Sequence, residues 1–180
     1  MRPFCLLGIT LCLAACGASA PGEKARARPS PVAQAETTHE YPSPAPPLEN
    51  AAGGLVSPAA AVAAFATAYI NWNAQTVSQD LRALAAHSIG QARSAMQLAA
   101  AQTASDYELQ RGGIANQGTV EAVAPLRGSD DQFVVVTREL TTATATTAYQ
   151  GLQPAWHIAV ATVTQQRPGQ WVVSGWQPES

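Results

Sequence analysis

The stretch Ser57–Trp72, SPAAAVAAFATAYINW, places the strongest constraint on how this chain can fold. Ser57 is a favourable N-cap residue, and Pro58 falls at the first helical position, where proline is tolerated. The apolar residues that follow recur with a helical period and lie on one face: Val62, Phe65, Ala66, Tyr69 and Ile70. The stretch therefore predicts an amphipathic helix that packs on a sheet formed by later residues.

Residues 17–50, upstream of this helix, have a composition that disfavours a packed core. The segment is rich in Pro, Ala, Ser and Glu, and six prolines between Pro29 and Pro47 interrupt helical hydrogen bonding. Its large apolar residues are too few to offset the conformational entropy that folding would cost. The sequence therefore predicts three parts: a signal peptide at residues 1–15, a disordered tether at 16–55 and a folded domain at 56–180.

The first sixteen residues have the anatomy of a bacterial export signal. Arg2 provides a short positive region, and Phe4–Leu13 is an apolar run that is too short to span a bilayer as a helix. The residues Leu13-Ala14-Ala15-Cys16 resemble the lipobox of bacterial lipoproteins. The resemblance implies that Cys16 receives a diacylglyceryl group and becomes the first residue of the mature chain.

Lipidation of Cys16 would define both the membrane partner and the location of the protein. Two acyl chains give stable attachment, at about 0.8 kcal/mol per buried methylene, where a single chain is marginal. We therefore expect a lipid-anchored domain on the outer face of the cytoplasmic membrane. There are two alternatives. An ordinary signal cleaved after Ala18-Ser19-Ala20 is disfavoured by Pro21 directly after that site, and an uncleaved anchor is disfavoured by the short apolar run.

Charge and cysteine usage exclude several other classes. The formal net charge is −2 and Lys24 is the single lysine, so no basic surface for nucleic acid is expected. Cys5, Cys12 and Cys16 all precede the domain, which therefore has neither a disulfide nor a cysteine ligand for structural zinc. We expect no metal site and no cofactor.

Downstream of the first helix, apolar periodicity predicts two more helices and then four strands. The second helix runs from Thr76 or Ser78 to His87, and the third from Ser88 to the pair Gly112-Gly113. The strands are residues 119–124, 133–140, 156–164 and 171–176, with a Thr/Ala-rich arm at 141–148. Helices followed by consecutive strands indicate an α+β fold, about three helices packed on a curved four-stranded antiparallel sheet.

The strand at 156–164 has two faces of different character. Trp156, Ile158 and Val160 alternate with His157 and the alanines that follow it. We expect the face with Trp156 to lie in the core. That arrangement places His157 on the outer face of the sheet, as a candidate for contact with a partner.

Phe65, Tyr69 and Trp72 on the opening helix, with the final strand Trp-Val-Val-Ser-Gly-Trp at 171–176, resemble the nuclear-transport-factor-2-like, or cystatin-like, α+β cone. Similar domains occur in envelope proteins of Gram-positive bacteria, including accessory proteins of conjugative transfer. The resemblance covers about residues 57–180 and implies a conical cavity between helices and sheet. The family includes isomerases, hydrolases and non-catalytic scaffolds, so the fold leaves the function open.

Side chains suited to catalysis are few in this domain. The polar candidates show no spacing that guarantees an acid–base pair; they are Tyr69, His87, Asp106, Tyr107, Glu139 and His157. No metalloprotease, serine-hydrolase or phosphate-loop motif occurs. An enzyme is therefore the less favoured class, and no catalytic residue is assigned. Aromatic side chains could instead line a pocket for an apolar ligand, and the candidates are Tyr69, Trp72, Tyr107 and Trp176.

Three functions stay open at this point. The favoured one is a membrane-anchored, non-catalytic interaction or scaffold module in an envelope or conjugative transfer complex, with an envelope protein as its partner. A lipoprotein that binds a small apolar ligand is the second, and a cavity enzyme of isomerase or hydrolase type is the third. The third requires a carboxylate or a histidine beside a tyrosine inside the cavity, which a structure can test.

Replacement of the lipid acceptor tests the anchor. Cys16→Ala should abolish labelling by a fatty-acid probe and release the protein from the membrane fraction, because the thiol that carries the acyl chains is gone. Cys5→Ala and Cys12→Ala are matched controls, since both residues leave with the signal peptide. Unchanged membrane partitioning of Cys16→Ala would refute the anchor.

Overall fold

The structure, a computed structural model, describes residues 48–179; the predicted signal peptide, Cys16 and residues 17–47 of the tether lie outside it. The described part contains four helices and five strands. The helices are α1 (Pro58–Ile70), α2 (Val77–Ala86), α3 (Gly90–Ala104) and α4 (Tyr107–Gly112). The strands are β1 (Trp72–Asn73), β2 (Ile114–Pro125), β3 (Gln132–Ala143), β4 (Ala155–Arg167) and β5 (Gln170–Glu179). None of these four helices is long and apolar enough to cross a bilayer.

The five strands form one antiparallel sheet in sequence order, β1-β2-β3-β4-β5. Register shifts between Val120 and Ala122 and between Thr162 and Val163 increase its twist. Helices α1, α2 and α3 supply the core side chains that cover one face of the sheet. The predicted α+β fold is confirmed, with the two-residue strand β1 as an addition at the edge beyond β2.

Helix α1 forms as its cap and apolar stripe predict. The hydroxyl of Ser57 accepts a hydrogen bond from the amide of Ala60 at 3.2 Å, and Pro58 occupies the first turn. Asn71 ends the helix with extended backbone angles. The buried residues of the helix pack into the core above the sheet and are Ala61, Val62, Phe65, Ala66 and Ile70.

Two asparagines fasten the C-terminal end of α1 to strand β2. The side-chain amide of Asn71 donates to the carbonyl of Gly118 at 3.2 Å and accepts from its N–H at 3.0 Å. Asn116, which is 5% exposed, donates to the carbonyl of Ile70 at 2.7 Å. A Cβ on Gly118 would lie 2.8 Å from the carbonyl oxygen of Arg138 and 3.1 Å from Cδ1 of Ile70, so glycine permits this close approach.

The single helix predicted over residues 88–112 is two helices in the structure. Helix α3 ends at Ala104, and the side chain of Asp106 accepts a hydrogen bond from the amide of Leu109 at 2.9 Å, which starts α4. Aspartate competes with helix continuation because it bonds to nearby backbone amides. Gly113 then ends α4 in the left-handed region, at φ 59°.

The predicted orientation of β4 is wrong. Trp156 and Ile158 are 63% and 48% exposed, whereas Ala159 and Ala161 on the opposite face are 6% and 0% exposed. Since side chains alternate along a strand, the face that carries His157 is the one that the helices cover.

The reason lies in the size of the neighbouring side chains on the inner face. Ala161 pairs with Phe133 on β3 and with Trp176 on β5. These two aromatic side chains are buried in the core and fill the space above the centre of the sheet. Strand β4 therefore contributes small residues to the inner face, because interiors are close-packed and the volume is already occupied.

Residues 49–55, which the sequence assigns to the tether, are hydrogen bonded to the folded part. Ala52 donates to the carbonyl of Ala86 at 2.8 Å, and Leu55 exchanges two backbone bonds with Trp171. The boundary of the domain stays a prediction, which limited proteolysis of the mature chain can test.

Removal of the Phe65 ring tests the packing of α1. Phe65→Ala should lower the free energy of unfolding by about 3–5 kcal/mol, because transfer energy is lost and a cavity is left. Leu98→Ala, at a position on α3 that is 60% exposed, should change it by about 0.5 kcal/mol or less. Chemical denaturation of the two variants measures the difference, and equal stabilities would contradict the burial of Phe65.

Candidate functional site

A cavity of about 460 Å³ lies between the helices and the inner face of the sheet. Its apolar wall comes mainly from the three later helices, through Val77, Leu81, Ala99 and Leu109. Aromatic and polar side chains complete it, among them Tyr69, Trp72, Asn116, Glu139, Thr141 and His157. We call this space the inner cavity.

Glu139 on β3 is the carboxylate of the inner cavity, and hydrogen bonds fix both of its oxygens. Oε2 accepts from Nδ2 of Asn116 at 2.8 Å, and Oε1 accepts from the hydroxyl of Thr137. The hydroxyl of Thr141 donates to Oδ1 of Asn116 at 3.0 Å. These bonds order one wall of the cavity, and a carboxylate that accepts two bonds keeps capacity to accept more from a ligand.

His157 is on the same inner face of the sheet as Glu139, at a position that is exposed to solvent. It pairs with Thr137 across β3 and β4, while Glu139 pairs with Ala155, so the two side chains are diagonal neighbours. Diagonal neighbours are about 7–8 Å apart, which long side chains can span. A carboxylate and an imidazole in one cavity are residue types that could transfer a proton. Within residues 48–179, no group of three or more His, Cys, Asp or Glu side chains is placed to hold a metal ion.

Tyr69 brings a phenol to the inner cavity. Burial raises its pKa above the ordinary value of 10.0, the nearby side chain of Trp176 acts in the opposite direction, and the charge of Glu139 raises the pKa again. The phenol therefore stays protonated at neutral pH and can donate a hydrogen bond to a ligand. The two rings are 5.3 Å apart between centroids, and the buried Nε1 of Trp176 makes no hydrogen bond of good geometry in the described part of the chain.

The structure separates the aromatic residues that the sequence suggests as ligand contacts. Tyr69 and Trp72 line the inner cavity, and so does His157, which the sequence suggests as a partner contact. Tyr107 is 67% exposed on α4, outside this cavity. Trp176 is 4% exposed and packs in the core. Ligand binding at Tyr69 and Trp72 stays a prediction.

Sequence reasoning misses Asn116 and therefore does not identify the cross-strand partner of Glu139. Asparagine is depleted in strands because its side chain favours turns, and this is the signal that singles out Asn116. Thr137 and Glu139 are two positions apart and so share a face of β3. Their link to Asn116 depends on the register of β2 against β3, which local sequence does not specify.

The opposite face of the sheet carries an apolar surface, in which Trp156 and Ile158 are exposed and the valines are half-buried. Val134 and Val136 on β3 pair with Val160 and Ile158 on β4, on the side away from the helices. Trp156 continues this surface and is its most exposed member. We call these five residues the outer patch.

No known protein family matches the chain, and no curated protein matches it. Among solved structures, the chain is similar to the VirB8 protein of Agrobacterium tumefaciens. The identity is 14%, the TM-score is 0.47, and the alignment covers 67% of this chain and 88% of that one. Independently of this likeness, helices packed on one face of an antiparallel sheet around a cavity agree with the cone that the sequence resembles.

The raised pKa of Tyr69 predicts a loss of stability at alkaline pH. The unfolded chain releases the phenol proton at a lower pH than the folded domain. The contribution of the protonated Tyr69 phenol to the free energy of unfolding is therefore fully present below pH 10.0. It is lost as the pH rises through the pKa that the phenol has in the folded state. Unfolding free energies from about pH 9 to 11 should decline less steeply for Tyr69→Phe than for the parent chain.

Tyr107→Phe is the matched control for this titration, because Tyr107 is 67% exposed. It should keep the slope of the parent chain. Parallel declines of the parent chain and Tyr69→Phe would show that the Tyr69 phenol is not the group that titrates.

Proposed function

We propose that the chain is a membrane-anchored extracytoplasmic lipoprotein whose domain is a non-catalytic interaction or scaffold module. Its partner is an envelope protein, and a conjugative transfer complex is the setting that the sequence resemblance implies. The observation that carries the proposal is the outer patch, where Trp156 is 63% and Ile158 48% exposed. Contiguous exposed apolar surface marks sites of association on soluble domains.

The composition of the outer patch suits a protein contact. Tryptophan and arginine are enriched among the residues that dominate the energy of protein–protein binding. Here the guanidinium of Arg138 lies 5.9 Å from the ring centroid of Trp156, on the same face of the sheet. The paired valines and Ile158 supply a flat apolar surface beside this contact.

The charges around the outer patch favour a protein over a lipid surface. Glu179, which pairs with Ile158 across β4 and β5, carries the opposite charge to Arg138. A surface that binds anionic headgroups uses a cluster of Lys and Arg, each worth about 1 kcal/mol. The chain's single lysine, Lys24, precedes the domain. Apolar contact with another protein is therefore the better match.

Glu49, near the start of the described residues, contacts β4 at the end of the strand that is opposite to Trp156. The side chain of Gln166, near the end of β4, donates to the carbonyl of Glu49, whereas Trp156 is at the start of the same strand. Ten residues of strand separate Gln166 from Trp156, which is about 33 Å at 3.3 Å per residue. The contact of Glu49 is therefore far from Trp156, which is exposed to a partner in the described part of the chain.

Crosslinking from the outer patch tests the proposal. Photoreactive residues at Val136 and Ile158, in the full-length protein in its own membranes, should form an adduct with one envelope protein, identified by mass spectrometry. A photoreactive residue at Leu98, on α3, is the control. An adduct with a second copy would reassign the patch to self-association, and no adduct above the Leu98 control would refute the proposal.

Substitution of Trp156 then measures the contact with the identified partner. Trp156→Ser should weaken binding of the purified partner at least about tenfold, because truncation of a tryptophan that dominates an interface typically costs about 2 kcal/mol or more. Leu98→Ser, at a position that is 60% exposed, should leave the affinity unchanged. Equal affinities of the two variants would show that the partner binds elsewhere.

The inner cavity favours a second candidate, a ligand-binding or enzymatic role. The observation in its favour is that Glu139, His157 and Tyr69 line one space with apolar walls. These are the residue types that isomerase or hydrolase chemistry would need. A ligand screen read by the indole NMR signal of Trp72 tests it. Binding without turnover supports a ligand carrier, and the absence of any binding removes both roles.

A further inference from the structure

A second cavity, of about 410 Å³, lies along a different side of α1 from the inner cavity. It forms where α1 meets the end of α2, the first residues of β5 and the segment Ala52–Leu55, which we call the strap. The two cavities share no lining residue. We call this second space the strap pocket.

The strap is a fixed wall of this pocket, because backbone hydrogen bonds hold both of its ends. Ala52 donates to the carbonyl of Ala86 at 2.8 Å. Leu55 accepts from the amide of Trp171 at 2.8 Å and donates to its carbonyl at 3.0 Å. Gly53, at φ 81°, gives the chain the left-handed turn that lets it arch between these two points.

The depth of the strap pocket is apolar. Phe65, Leu84 and Val173 line it and are 5%, 8% and 2% exposed, so its floor is the hydrophobic core itself. The open volume arises because α1 presents small residues here, including the exposed Ala64 and Ala68. A space with this lining accepts apolar groups and penalises an uncompensated charge.

His87 lines the strap pocket and is itself exposed to solvent. Its Nδ1 is hydrogen bonded to the carbonyl oxygen of Ala52. A carbonyl can only accept, so Nδ1 carries the hydrogen, and in the neutral ring Nε2 is an acceptor. A ligand that contacts Nε2 therefore has to supply a donor group.

We propose that the strap pocket binds a small, uncharged, mainly apolar molecule with one hydrogen-bond donor, of the class of an aromatic alcohol. Its volume lies near the lower end of the range of about 300–1,000 Å³ that is usual for ligand pockets. Neither a carboxylate nor a lysine or arginine lines it, so an ionised ligand would lose its hydration without compensation. This site is separate from the outer patch and does not depend on the proposed function.

Four tryptophans make the test specific, because each lies in a different place. Trp171 lines the strap pocket, Trp72 the inner cavity and Trp156 the outer patch, while Trp176 is in the core. 1-Naphthol serves as the probe, with 1-methoxynaphthalene as its analogue without a donor and 1-naphthoate as its charged analogue. The nitrogen-15-labelled, unacylated chain of residues 16–180 is titrated with each and followed by its indole NMR signals.

1-Naphthol should shift the signal of Trp171 and leave those of Trp72 and Trp156 in place. 1-Methoxynaphthalene should bind about two- to tenfold more weakly, because it cannot donate to Nε2 of His87 and, since His87 is exposed, only the net contribution of one hydrogen bond is lost. 1-Naphthoate should give no shift. A shift at Trp72 in place of Trp171, or equal affinity for 1-naphthol and its methoxy analogue, would overturn the proposal.

Matched variants complete the test. Ala64→Phe places a ring at the pocket and should abolish binding, whereas Ala59→Phe, at an exposed position of α1 outside the pocket, should retain it. His87→Leu should keep binding of both neutral probes and remove the preference for 1-naphthol. Binding that survives Ala64→Phe, or a preference that survives His87→Leu, would each contradict the assignment.

Discussion

The attachment of helix α1 to the sheet is the interaction on which the rest of the structure depends. Its apolar stripe, centred on Phe65, packs into the core, while Asn71 and Asn116 hold its last turn on β2. The two asparagines supply hydrogen-bond partners that the helix end and the sheet edge would otherwise lack. The apolar and the polar contacts therefore fix the same position of the helix. Helix α1 also forms a wall of both cavities: Tyr69 lines the inner cavity and Ala64 lines the strap pocket.

Crowding on the inner face of the sheet explains what lies on the outer face. Phe133 and Trp176 flank the middle of β4 and leave room there for alanine, so the large residues of this strand, Trp156 and Ile158, face solvent. Single exposed apolar residues need no explanation, but a tryptophan that continues a row of paired valines forms a contiguous surface. Only a binding partner could bury that surface, because the described part of the domain leaves it uncovered. The polar cluster around Glu139, by contrast, is partly buried within the domain, where its members hydrogen bond to one another.

Local signals in the sequence were sufficient for the class of fold but not for the site. The cap at Ser57, the helical period of α1 and the turns between strands are short-range features, and the α+β order follows from them. The faces of β4 could not be assigned in this way, because both carry apolar residues and the choice depends on side chains of β3 and β5. The proximity of Glu139 and His157 likewise depends on strand register. Asp106 is a favourable N-cap residue and could have indicated the boundary between α3 and α4. The apolar period continues across this position, however, and favours a single helix.

Accessibility of Trp156 in the native membrane measures most directly whether the outer face of the sheet binds a protein. Oxidative footprinting with mass spectrometry compares individual residues in the purified chain and in intact membranes. Trp156 should react readily in the purified chain and be protected in membranes. Tyr107, which is 67% exposed, should react equally in both, and the buried Trp176 in neither. Equal reaction of Trp156 in the two states would contradict an interaction surface on this face.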